Sequence, residues 1–147
     1  MNMPRLLVLA VVVAMSLSSV AHAQSNQRTL MHTFQEGSRI VYVTIVDRPP
    51  TPVGLVSSED RSRKERWFMV SRSEFDKLWS TLLSAGVEKY AKYAGDKQPE
   101  RRFDPLTYYV FSAAEIPRGW KKNYAVPDSK APRALVALVK QFRRYAK

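Results

Sequence analysis

The sequence predicts an α+β domain: a small antiparallel sheet of about four to five strands with two helices packed on one face. Three observations predict it. Runs rich in β-branched and aromatic residues recur at Thr29–Phe34, Arg39–Asp47, Arg66–Val70, Leu106–Ala113 and Trp120–Val126, which is strand composition. Two segments, about 72–85 and Ala131–Tyr145, repeat apolar residues at helical spacing. The order strands, helix, strands, helix then favours an antiparallel sheet with segregated helices over alternating parallel units.

The first 23 of the 147 residues stand apart from this domain. Arg5 is the only charge in the segment, Leu6–Val20 is almost wholly apolar, and Ala21-His22-Ala23 offers small residues around a cleavage point. This pattern is expected of a secretory signal peptide over residues 1–23, with the folded chain starting at Gln24. The apolar run falls short of the roughly 20 residues a membrane span needs. Cleavage leaves 124 residues, enough for one domain over 24–147, and no stable span. The expected location is therefore the periplasm or the medium, reached through a Sec-type signal.

Gln24–Arg28 is polar and is expected to fray. Thr29–Phe34 and Arg39–Asp47 follow as two strands joined by a turn at Gln35-Glu36-Gly37-Ser38. Ile40–Val46 is β-branched or aromatic at every position, so it is expected to be central or buried on both faces. Prolines 49, 50 and 52 cannot donate to a ladder and force a loop. Val53–Ser58 reads as a short edge strand, weakened by Gly54 and its serines. Glu59–Arg66 is charged at all but one position and reads as a solvated loop.

Helix 72–85 has the most signals. Ser71 with Glu74 forms a capping box, and Val70 and Phe75 are placed as a hydrophobic staple across the helix start. Phe75, Leu78, Trp79, Leu82 and Leu83 form one apolar stripe. Gly86 suits the left-handed residue that ends a helix, with Val87 folding back on Leu82. Val87–Ala94 reads as a short further helical turn, Gly95–Pro105 as a loop, and Ile116–Gly119 as a turn between the last two strands. Trp120, Tyr124 and Val126 share a face of the final strand. In the last helix Pro132 is tolerated in the first turn. Leu135, Leu138, Val139 and Phe142 make its stripe, and the cations near its end suit the helix dipole.

Composition excludes much chemistry. The chain has no cysteine, hence no disulfide framework, lipid-modified cysteine or thiol catalysis. His32 is the single histidine after residue 23, expected half-exposed in its strand, so neither a serine–histidine triad nor a zinc site is expected. No glycine-rich loop precedes a helix, which removes the familiar nucleotide motifs. The close carboxylate pairs, Glu59 with Asp60 and Glu74 with Asp76, have capping or charge-neutralising explanations. No metal or cofactor is expected.

What remains is charge. The net charge of +11 falls to +10 once Arg5 leaves, and it clusters in several places near Trp67, Tyr90, Tyr93, Trp120, Tyr124 and Tyr145. Such a surface can meet an acidic protein, an anionic envelope component or nucleic acid. The first expectation is a non-catalytic interaction module binding an acidic protein or an anionic envelope polymer. A nucleic-acid or anionic-polymer binder is the alternative, and a hydrolase working through carboxylates such as Glu59, Asp60 and Asp104 is the third. The candidate binding residues are Arg63, Lys64, Arg66, Arg118, Lys121 and Lys122, which flank strands expected to be neighbours.

Overall fold

A computed structural model describes residues 27–60, 64–92, 103–116 and 120–147. Residues 1–23, expected to be a signal peptide, and Arg63, Arg118 and most of the expected 95–105 loop lie outside the described residues. Seven strands form one sheet: β1 (Gln27–Glu36), β2 (Arg39–Asp47), β3 (Val53–Ser58), β4 (Arg66–Met69), β5 (Ala91–Lys92), β6 (Tyr108–Ile116) and β7 (Trp120–Pro127). Their order is β4-β3-β2-β1-β6-β7-β5, and every pairing is antiparallel. Six strands have four or more residues, against the four to five expected. The addition is Val53–Ser58 as a full strand, because β4 pairs onto its far side. The edge strand is therefore β4, not β3.

Helices α1 (Arg72–Ser84) and α2 (Arg133–Tyr145) pack on the same face of this sheet. That face is set by strand alternation. Leu30 and Phe34 of β1, Val41, Val43 and Ile45 of β2, and Phe111 and Ala113 of β6 point to it and are buried. Tyr124 and Val126 do the same from β7. Phe75, Leu78 and Leu82 of α1 meet Leu135, Leu138, Val139 and Phe142 of α2 above them in one core. Fully burying an aliphatic or Phe side chain of this kind contributes about 1.5–3 kcal/mol.

The helix boundaries follow from their caps. Ser71 Oγ accepts the Glu74 N–H at 3.2 Å, satisfying one of the free donors of the first turn. The reciprocal half of the capping box is replaced by a tertiary contact. The Glu74 carboxylate accepts from Tyr145 OH and from Gln141 Nε2 at 3.1 Å, tying α1 to the end of α2. Gly86 adopts φ +72°, a left-handed conformation that only glycine enters freely, and Val87 beyond it is buried. Pro132 occupies the N-cap of α2 and not its first turn. Leu83, expected on the stripe, is exposed.

His32 departs from expectation. The sequence places it half-exposed, but it is fully buried, because β1 is central and His32 points to the helix face. Its Nδ1 lies 3.0 Å from the Val110 carbonyl, which can only accept, so Nδ1 carries the proton. The ring stacks on Phe111 with centroids 4.4 Å apart, and Nε2 has no hydrogen-bond partner. Burial foremost, and then the charge of Arg143, lower its pKa to about 3 against the pull of the Val110 carbonyl.

A charged knot closes one end of the sheet against α1. The Asp47 carboxylate accepts from Arg28 Nη2 at 2.7 Å and from Arg72 Nη1 at 2.6 Å. Arg28 also reaches Asp76 and lies over the rings of Phe75 and Trp79. Burial pulls the Arg28 pKa down, but the hydrogen bonds and charges of Asp76 and Asp47 outweigh it and raise it above the ordinary value.

Candidate functional site

Two helices cover one face of a sheet, and the other face of this one is largely open. Alternation places Thr29, Met31, Thr44, Val46, Val53, Leu55, Trp67, Met69, Ser112 and Ala114 on it. The pairing registers set them in rows across the strands. One row runs Trp67, Leu55, Thr44, Met31, Ser112, Asn123. The next runs Met69, Val53, Val46, Thr29, Ala114, Lys121. Toward the other ends of these strands, Phe103 and Tyr108 pack over Val110 and Ala125 as a small second core. In the two rows Ser112 and Asn123 are buried, and the other members are half-buried or exposed.

Side-chain size makes this face concave. Thr29, Thr44, Ser112 and Ala114 are small, whereas Met31, Ile116, Leu55 and Trp67 stand higher around them. The result is two hollows that share Thr44. The larger, about 430 Å³, is lined by Thr29, Met31, Thr44, Ser112, Ala114, Glu115, Ile116 and Lys121. The smaller, about 210 Å³, is lined by Gln27, Thr44, Val46, Arg48, Val53, Leu55 and Trp67. Trp67 is 61% exposed, Met69 68% and Ile116 56%. A cluster of exposed large apolar side chains marks an interaction surface more often than scattered single ones do.

Each hollow carries one exposed cation, Lys121 or Arg48. Neither is engaged in an ion pair among the described residues. Ser112 Oγ donates to Asn123 Oδ1 at 2.6 Å, so this part of the floor is internally satisfied.

The sequence-derived candidates do not assemble into one patch. Arg63 and Arg118 lie outside the described residues. Lys64 is exposed just before β4, and Arg66 on the helix face donates to the Tyr145 carbonyl. Lys121 and Lys122 sit on β7, separated from β4 by β3, β2, β1 and β6, a span of about 24 Å at the usual strand spacing. The expectation that their strands are neighbours is thus overturned. Lys122 faces the other way from Lys121 and pairs with Glu88 at 2.6 Å. Of the four that are described, only Lys121 lines either hollow.

Of the aromatics near the basic clusters, Tyr124, Tyr145 and Tyr90 prove structural, and Tyr93 and the side chain of Trp120 lie outside what is described. Tyr124 is buried with its hydroxyl on Glu88 at 2.8 Å, and Tyr145 stacks on Phe68. Burial and then their carboxylate partners push both phenols well above the ordinary range, so each holds its proton firmly. Tyr90 donates its hydroxyl to the Lys130 carbonyl. Among the described residues no group of three or more His, Cys, Asp or Glu is arranged to hold a metal, and no helix is long and apolar enough to cross a membrane.

Sequence reasoning misses the open face, although a signal for it is present. Strands β2, β3 and β4 are apolar on both faces, whereas two amphipathic helices have stripes enough for one face only. That mismatch, not the charge clusters, points to the site. Comparison with protein-family models, curated proteins and solved structures finds no match to this chain.

Proposed function

We propose that this chain is an exported, non-catalytic binding module that docks an anionic, partly apolar component of the cell envelope on the open face of its sheet. The observation that carries this reading is the concave apolar surface around Thr44, flanked by Lys121 and Arg48, neither of which is in an ion pair among the described residues. The apolar rows supply contact area, and the cations on a basic chain supply attraction for an anionic partner.

The titratable groups support binding over catalysis. The one histidine after residue 23 is neutral and sealed in the core. The two perturbed tyrosines hold their protons, and Glu74, Asp76 and Asp47 are tied into structural contacts. The nucleic-acid reading has less support, because stacking needs exposed aromatics beside cations and Trp67 alone among the described aromatics stands on the open face strongly exposed.

Co-sedimentation with lipid vesicles tests the reading. Binding to phosphatidylglycerol vesicles is expected, with little to phosphatidylcholine, and it weakens as salt approaches about 0.5 M and screening shortens to a few ångströms. The double variant Lys121→Glu, Arg48→Glu removes it. Undiminished binding by that variant, or binding to duplex DNA in preference to the vesicles, overturns the assignment.

A further inference from the structure

We infer that the open face holds a single long-chain anionic amphiphile, with its head group at Lys121 and its chain lying across the strands over Thr44 toward Trp67. This deepens the docking reading above and rests on it. It explains two things that a generic anionic surface leaves unused: the size of the floor residues and the position of the cations.

The two hollows share Thr44 and lie side by side over β6, β1, β2 and β3, not along any one strand. Threonine, serine and alanine on the floor leave room that larger strand residues would fill. Met31, Ile116, Leu55 and Trp67 rise beside it and offer methylene, thioether and indole surface to a chain. A second copy of this chain is disfavoured by its own charge of about +10 and by the cations it would bring to the same face.

The larger hollow lies at the Lys121 end and the indole of Trp67 closes the other, which sets the direction of the chain. An extended amphiphile placed this way pairs its carboxylate or phosphate with the ammonium and buries its tail against apolar side chains. Glu115 also borders the larger hollow, but alternation turns its side chain with Phe111 and Ala113 toward the helix face, away from Lys121.

Calorimetric titration with palmitate below its aggregation threshold provides the test, alongside its eight- and twelve-carbon homologues and the sixteen-carbon alcohol. Saturable one-to-one binding is expected, strengthening by about fourfold for each methylene that becomes buried. The neutral alcohol binds more weakly than palmitate. Lys121→Glu weakens palmitate by about tenfold or more and Arg48→Glu by less. Thr44→Phe fills the junction of the hollows and abolishes binding of the long chain. Thermal unfolding of Thr44→Phe checks that its fold survives, and the exposed Lys121→Glu decides the matter should it not.

Absent saturable binding of palmitate overturns the inference, as does affinity indifferent to Lys121→Glu or a larger loss in Arg48→Glu. Equal affinity for the alcohol overturns the head-group assignment. If palmitate fails while phosphatidylglycerol vesicles still bind through Lys121 and Arg48, the inference falls and the docking reading stands. If neither binds, both fall.

Discussion

The buried histidine makes stability a direct function of pH in a range where little else titrates. Folded His32 has a pKa of about 3 against an ordinary value of 6.5. The unfolded chain therefore takes up the proton first. The contribution of His32 to stability is full above about pH 6.5 and is lost as pH falls from there toward 3. Each pH unit in that window is worth about 1.4 kcal/mol, so the fall from pH 7.5 to 4.5 removes about 3 kcal/mol. That is a large share of the roughly 5–15 kcal/mol typical of a domain.

Urea unfolding followed by tryptophan fluorescence at intervals from pH 7.5 to 4.5 measures the effect. The midpoint should drop by roughly 1–2 M over this range, given typical urea slopes. The interpretation is clean because the chain from Gln24 onward contains no other histidine and ordinary carboxylates titrate mostly below pH 4.5. His32→Phe keeps a ring to stack on Phe111 and removes the proton site. It loses the hydrogen bond to Val110 at every pH, so it is less stable at pH 7.5 but has a flat profile down to 4.5. Equal pH slopes for the two proteins would refute the burial and protonation state assigned to His32.

Three further outcomes follow from the packing. Asp47→Ala leaves Arg28 with Asp76 as its remaining carboxylate and strands Arg72, and is expected to destabilise by about 2 kcal/mol, whereas Arg72→Ala, at the half-exposed end of the same knot, costs under about 1 kcal/mol; chemical denaturation of both distinguishes them. Ser71→Ala removes the α1 cap and lowers stability by about 1 kcal/mol in the same assay. Gly54→Ala places a Cβ 2.0 Å from the Phe68 ring. The ring must leave its stack on Tyr145, at a cost of about 1–3 kcal/mol and with a change in near-ultraviolet circular dichroism.

Local signals in the sequence carry much of the fold. Helix α1 is legible because Ser71, the apolar stripe and Gly86 all act within one or two turns. The stripe of α2 is equally clear. The strand count fails at β3 because the reason Gly54 is tolerated lies in another strand: its missing side chain admits the Phe68 ring. Glu74 reads locally as a cap and instead serves Tyr145, 71 residues away. His32 is misplaced because period-2 alternation says that it shares a face with Leu30 and Phe34, but not which face the helices cover.

The candidate site is legible only as a discrepancy. Charge clusters draw attention to Arg66 and Lys122, whose partners Tyr145 and Glu88 come from distant parts of the chain. The concave face depends on strand order, which no local pattern encodes. Only once β1 lies between β2 and β6 do Thr44, Thr29, Ser112 and Ala114 become one floor beside Met31.

The open face can be watched directly through its methionines. From Gln24 onward the chain contains two, Met31 and Met69, and both point to that face. In protein labelled with carbon-13 at the methionine methyl groups, addition of phosphatidylglycerol vesicles or palmitate should shift or broaden the Met31 resonance first and the Met69 resonance with it. Thr44→Phe should suppress the response to palmitate. Two methionine signals that stay unmoved at saturating anionic ligand, while binding is detected by sedimentation or calorimetry, would place the partner elsewhere on the molecule and contradict the account.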